Sequence, residues 1–193
     1  MRCLAPALLC AALLLPGCAP LFTQSPGQGY SPVNAVKDAQ DPHLMLDGHD
    51  VVSYFTEARH QPGRPEIRSV WKGVGFRFAS ERHKALFDAD PQKYLPQYGG
   101  YCANGIVYGI PWGGNADSWR IMEGRLYIFG GAGSKAAFEL DVPGNVRLAD
   151  RYWQTEVRDS NAFLQRAWRL VLRVPHYRSG AELADAVRKA RGG

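Results

Sequence analysis

Tyr98, Gly99, Gly100, Tyr101, Cys102, Ala103 and Asn104 form the stretch where residue types able to do chemistry crowd together. The glycine pair permits positive φ or close approach of another segment, which a Cβ resists. The flanking tyrosines each bring an apolar ring with a polar tip. Cys102 brings a thiol, which as thiolate is a nucleophile or a soft-metal ligand and as thiol is a small apolar filler. Backbone N–H groups of a Gly-Gly turn, if aimed at sulfur, would favour the thiolate. Tyr98, Gly99, Gly100, Tyr101 and Cys102 are therefore the expected ligand-binding residues, and Cys102 the group that would act in redox chemistry. His49 and His83 are the histidines that would complete a Cys/His₂ site with Cys102, a set suited to copper or zinc. No His-x-His or His-x-x-x-His spacing supports them as a pair, so turn or surface histidines are the plainer reading. His60 and His176 lie in loop-like settings and carry less weight.

Three further cysteines belong to the first 18 residues. Arg2, an apolar run from Cys3 to Leu15, and Leu15-Pro16-Gly17-Cys18 read as a signal peptide ending in a motif that resembles a bacterial lipobox. Cys18 is the expected lipidation site, and Ala19 after it points to the outer membrane. Each buried acyl CH₂ contributes about 0.8 kcal/mol, so several chains on Cys18 would anchor the protein durably. With Cys3 and Cys10 removed and Cys18 acylated, Cys102 is left as the one free thiol. An internal disulfide is then excluded, and any redox cycle needs an external thiol.

The chain has 193 residues, 46% of them hydrophobic, and a formal net charge of +5. That charge is uneven. Residues 19–157 carry 14 Lys/Arg against 15 Asp/Glu, whereas residues 158–193 carry 8 against 3. The basic character belongs to the C-terminal extension, and neither part reads as a nucleic-acid surface. The extension has two readings: a solvated arginine face on a helix packed against the domain, or an attraction to anionic headgroups.

The positioning elements follow from local pattern. Residues 19–44, rich in Pro, Gly, Ser and Gln, read as a flexible tether. Val51 to Phe55 reads as a strand, and Ile67–Lys72 with Val74–Phe78 as a hairpin turning at Gly73. Ser80 caps a helix through Phe87; Asp90-Pro91 opens a short one. Trp119–Met122, Glu123-Gly124 and Arg125–Phe129 form a second hairpin. Ser134–Leu140 and Pro143–Trp153 read as helices. Asp159–Val174 places Phe163, Leu164, Ala167, Leu170 and Val171 on one face, with Arg166, Arg169 and Arg173 beside it. Ser179-x-x-Glu182 is a capping-box pattern for a last helix to Arg191.

Taken in order, these pieces resemble exported bacterial YHS-domain proteins. The likeness rests on Gly48-His49-Asp50-Val51-Val52-Ser53-Tyr54-Phe55, Phe76-Arg77-Phe78-Ala79-Ser80, Phe87, Asp90-Pro91, Lys93-Tyr94 and the Tyr98–Ala103 stretch. Trp119, Gly124-Arg125-Leu126-Tyr127 and Pro143-Gly144-Asn145 continue it. It covers about residues 44–155. In the short, metal-handling form of that domain three cysteines fall where Ser53, Ala79 and His83 stand here. Ser and Ala cannot replace thiolates for a soft metal, so that cysteine site is missing. The resemblance implies an α+β unit of antiparallel hairpins and short helices.

The expected organisation is a signal peptide over 1–18, a tether over 19–44, a YHS-like domain over 45–157 and a basic helical extension over 158–193. The expected function is that of a lipid-anchored envelope protein facing the periplasm. Its domain would bind a metal or small ligand near Cys102 without catalysis. A thiol-dependent redox protein and a purely structural interaction module remain the alternatives. No Ser-His-Asp set, phosphate loop, dinucleotide motif or paired-carboxylate signature is visible.

Overall fold

The computed structural model describes residues 29–192; Cys18 and the leader lie outside the described residues. The fold is α+β. Two small sheets, each built around a hairpin with a left-handed turn, are joined and covered by helices.

The first sheet has the order β1-β2-β4-β3. Strands β1 (Ala35–Val36) and β2 (Leu44–Met45) pair antiparallel, and β2 lies parallel to β4 (Val74–Phe78) through Leu44 and Gly75. Strand β3 (Arg64–Trp71) closes the hairpin with β4, its turn made by Lys72 and Gly73 at φ 48° and 77°. The second sheet is β5 (Asn115–Met122) with β6 (Arg125–Phe129), turning at Glu123 and Gly124 with φ 50° and 72°. Both hairpins stand where the sequence places them, since paired positive φ matches the right-handed twist of the strands.

Two expectations need correction. Residues 29–44 are not a free tether throughout: Val33, Ala35 and Leu44 are buried, and β1 and β2 belong to the sheet. Val33, Ala35 and Leu44 face inward, while Val36 between them stays exposed. Val51–Phe55 is not a strand but leads into helix α1 (Ser53–Thr56). Asp50 decides this. Its carboxylate accepts hydrogen bonds from the Val52 N–H at 2.9 Å and the Ser53 N–H, and the Ser53 hydroxyl donates to the Asp50 carbonyl at 2.7 Å. A side chain that satisfies these N–H groups draws the chain into a helical turn despite two valines.

Helix α2 (Glu81–Ala89) is capped by Ser80, whose hydroxyl accepts from the His83 N–H at 3.2 Å. Helix α3 (Pro91–Tyr94) starts at proline as expected, although the Asp90 side chain makes no capping bond. A left-handed turn over Gln97–Gly100 leads into α4 (Ala103–Ile106). After β6 come α5 (Ala132–Phe138) and α6 (Val142–Tyr152), the latter capped by Asp141. A π turn over Trp153–Val157 then leads to α7 (Ala162–Val171) and α8 (Gly180–Ala190). The capping box at Ser179 and Glu182 is formed.

One core, including Phe76, Phe78, Phe87 and Tyr54, lies between the first sheet and α1–α3. The other gathers Tyr101, Cys102, Ile106, Phe129, Phe138 and Tyr152 between the second hairpin and α4–α6. Leu126 and Ile128 of β6 point into the first core while Tyr127 and Phe129 point into the second, as the two-residue period of a strand requires.

Asp50 and His83 hold the first core to its helices. Asp50 is fully buried; its Oδ2 also accepts from the Ala79 N–H at 2.8 Å and faces His83 Nδ1 at 2.6 Å. Removing one partner of such a buried pair strands the other, at a typical cost of about 3–5 kcal/mol. Asp50→Ala is expected to lose about that much in urea unfolding. His83→Ala should cost less, because the carboxylate keeps its three backbone donors.

Candidate functional site

The glycine pair behaves as its composition requires. Tyr98, Gly99 and Gly100 have φ of 55°, 60° and 79°. A Cβ on Gly99 would overlap the Pro32 carbonyl oxygen, while the Gly99 carbonyl accepts from the Asn34 N–H at 2.8 Å. The turn thus exists to let the N-terminal segment pass close. It does not present its donors to sulfur: the Tyr101 N–H bonds to Tyr98 O and the Cys102 N–H to Trp112 O.

Both tyrosines are structural. Tyr98 donates its hydroxyl to Asp150 at 2.8 Å and Tyr101 to the Val33 carbonyl at 3.0 Å. Burial pushes both phenols well above their ordinary range, with Asp150 adding to the effect at Tyr98. Tyr98 and Gly99 border a separate small hollow of about 230 Å³ that Cys102 does not line. Of the five expected ligand-binding residues, only Cys102 reaches a large cleft.

The histidines do not join it. His83 is held by Asp50, and its Nε2 meets the Thr56 hydroxyl at 3.1 Å. The Nδ1 of His49 lies 3.0 Å from the Leu46 carbonyl, and its ring lies beside His60, in a separate hollow of about 410 Å³. Among the described residues no three His, Cys, Asp or Glu side chains gather as metal ligands. The proposed Cys102, His49 and His83 set is therefore dispersed, and its residues do not fit copper or zinc. The reason is the fold: His49 and His83 flank the first core, Cys102 belongs to the second.

Cys102 lies at the N-terminus of α4 and pairs with Ile128 in an isolated parallel bridge. It is 3% exposed, yet it forms part of the floor of a cleft of about 720 Å³. Gly130 lies over the sulfur: a Cβ there would sit 3.6 Å from Sγ. Asn104, the second residue of α4, is 91% buried and lines the same cleft. Tyr108, Ile110 and Trp112 form one wall, and burial raises the Tyr108 phenol so that its proton stays in place. The opposite wall is α8, through Leu183, Ala184 and Val187, with Arg178 and Arg191 at its ends.

Sequence reading missed Asn104 as a site residue and α8 as a cleft wall. The signal for α8 was present in Leu183, Ala184 and Val187, which share one helix face at i, i+1 and i+4. The tail is held on by His176, whose Nε2 lies 2.9 Å from the Val107 carbonyl and whose ring stacks on Tyr108.

No family model matches the chain, and neither a curated protein nor a solved structure matches it.

Helix α8 owes its start to the capping box. The Ser179 N–H and hydroxyl both donate to the Glu182 carboxylate, which holds that carboxyl below the ordinary glutamate value of 4.5. A depressed folded-state pKa gives stability that is present above the ordinary value and lost as pH falls through the folded one. At neutral pH, Glu182→Gln should speed amide hydrogen exchange in α8 relative to α6. The difference from wild type should shrink as the medium is acidified below that value.

Proposed function

We propose that this chain is a non-enzymatic binding protein of the bacterial envelope, anchored through Cys18, whose YHS-like domain holds a small amphipathic molecule in the cleft above Cys102. The observation that carries this reading is the cleft of about 720 Å³ itself, with the buried Cys102 thiol and the polar Asn104 among its lining residues. The cleft's volume falls in the range of small-molecule sites, about 300–1,000 Å³. Trp112, Ile110, Leu183 and Val187 suit an apolar body, Asn104 and the Tyr108 hydroxyl a polar end bearing oxygen. Because α8 forms a whole wall and buries none of its side chains fully, the C-terminal extension is the element that can yield as a ligand enters.

The test is alkylation of Cys102 by iodoacetamide in the native full chain, followed on the peptide that contains it by mass spectrometry. The amphipathic dye 8-anilinonaphthalene-1-sulfonate should protect Cys102 in wild type. Ala184→Trp, which fills the cleft, should abolish dye protection, and Asn104→Ala should weaken it. Labelling that begins only on unfolding, or that the dye leaves unchanged, would sink the proposal and leave Cys102 as core packing.

A further inference from the structure

Helix α7 is docked with its polar side inward. The positions facing the domain are Ala162, Gln165, Arg166 and Arg169, at i, i+3, i+4 and i+7. Arg166 donates twice to the Pro111 carbonyl and lies over the Trp112 ring, its guanidinium carbon 5.3 Å from the centroid. Arg169 forms a two-pronged ion pair with Glu156 of the π turn, and Gln165 donates to the Gly109 carbonyl and to Glu156. The arginine face expected in solvent is the docked one.

The apolar face is thereby turned outward. Phe163 is 53% exposed, Leu164 61%, Trp168 58% and Val171 78%, with Leu170 and Leu172 continuing the patch. Scattered exposed leucines need no explanation, but a contiguous run with an aromatic pair does. Arg158 and Arg173 stand exposed at its two ends. Large apolar and aromatic side chains on one helix face, flanked by arginine, suit a helix lying in the plane of a membrane interface.

Two further observations select a bilayer over another occupant. Of the 8 Lys/Arg in the extension that carries α7, Arg166 and Arg169 are turned to the domain, and the rest still outnumber its 3 Asp/Glu, complementary to anionic headgroups. The Asp159 N–H, just ahead of α7, donates to the Ser31 carbonyl at 2.8 Å. Ser31 therefore lies beside the start of α7, while Tyr30 before it packs on Trp71. Twelve residues lie between Cys18 and Ser31, and the thirteen steps from one to the other span at most about 45 Å. An acylated Cys18 would hold this side of the protein against the membrane.

We propose that α7 lies in the interface of an anionic lipid bilayer, with Phe163, Leu164, Trp168 and Val171 among the acyl chains and Arg158 and Arg173 at the headgroups. The proposal takes its membrane from the envelope reading but is separable from acylation. The test uses the full chain with Cys18→Ser, reconstituted into vesicles of phosphatidylglycerol and phosphatidylcholine brominated in its acyl chains. Tryptophan emission should be quenched, and Trp168→Phe should remove most of that quenching. Leu164→Asp combined with Val171→Asp should do the same while near-ultraviolet dichroism stays unchanged. A chain that floats with the vesicles but shows no Trp168-dependent quenching overturns the proposal. So does Trp168 shielded from lipid by a second copy, seen as a dimer in sedimentation, or by the chain's own leader, seen as a shift in Trp168 emission when residues 1–17 are removed. Failure of the wild-type chain to carry lipid on Cys18, read from the mass of its N-terminal peptide, would sink the envelope anchor alone.

Discussion

A single buried carboxylate constrains the first half of the structure. Burying Asp50 away from water is costly unless every lone pair finds a donor. The donors come from separate places: Val52 and Ser53 at the head of α1, Ala79 at the end of β4, and His83 on α2. Satisfying the charge thus fixes where α1 begins, where β4 stops and how α2 is rotated. Asp41 plays a smaller part at the other edge, where it is buried and receives Arg68 at 2.7 Å and Arg77 at 3.3 Å. The aromatic core of Phe76, Phe78 and Phe87 supplies bulk, but these carboxylates set register.

How legible this was depends on whether the deciding force is local. The two hairpins could be read because a Gly at positive φ between alternating apolar runs carries its own instruction. The helix caps at Ser80 and Ser179 could be read for the same reason. Val51–Phe55 could not: its composition favours a strand, and what overrules it is a carboxylate satisfied partly by Ala79 and His83, about thirty residues onward. The order of residues 29–44 was hidden likewise, since Tyr101, Gly99 and Gly114 reach back to Val33 and Asn34 across 65 to 80 residues. At the cleft, the choice of Cys102 was available from its isolation in the sequence. Its separation from His49 and His83 was not, because it reflects two cores that only the fold distinguishes.

The tail shows a different limit. Its helical period and both of its faces were plain in the sequence, yet the usual inference, that the apolar face packs inward, gives the wrong orientation. Glu156, in a π turn, and the free carbonyls of Gly109 and Pro111 offer a polar seat that suits Gln165, Arg166 and Arg169 better than leucines. Amphipathicity reveals that a helix has two faces. The receiving surface decides which one is buried.

The early segment around Ser31–Asn34 has one more consequence, for the order in which the chain assembles. Apart from the Leu46 N–H, which donates to the Asn34 carbonyl at 3.5 Å, its partners are Tyr101, Gly99 and Gly114 in the middle of the chain and Asp159 near its end. Each of those contacts closes a loop of 65 residues or more, and the entropy of closure must be met before any of them stabilises the fold. A segment among the first to emerge during synthesis is thus among the last to find its place. Until then its apolar groups stay in the open, and the Ser31–Asp159 contact becomes a seal on a chain already otherwise folded.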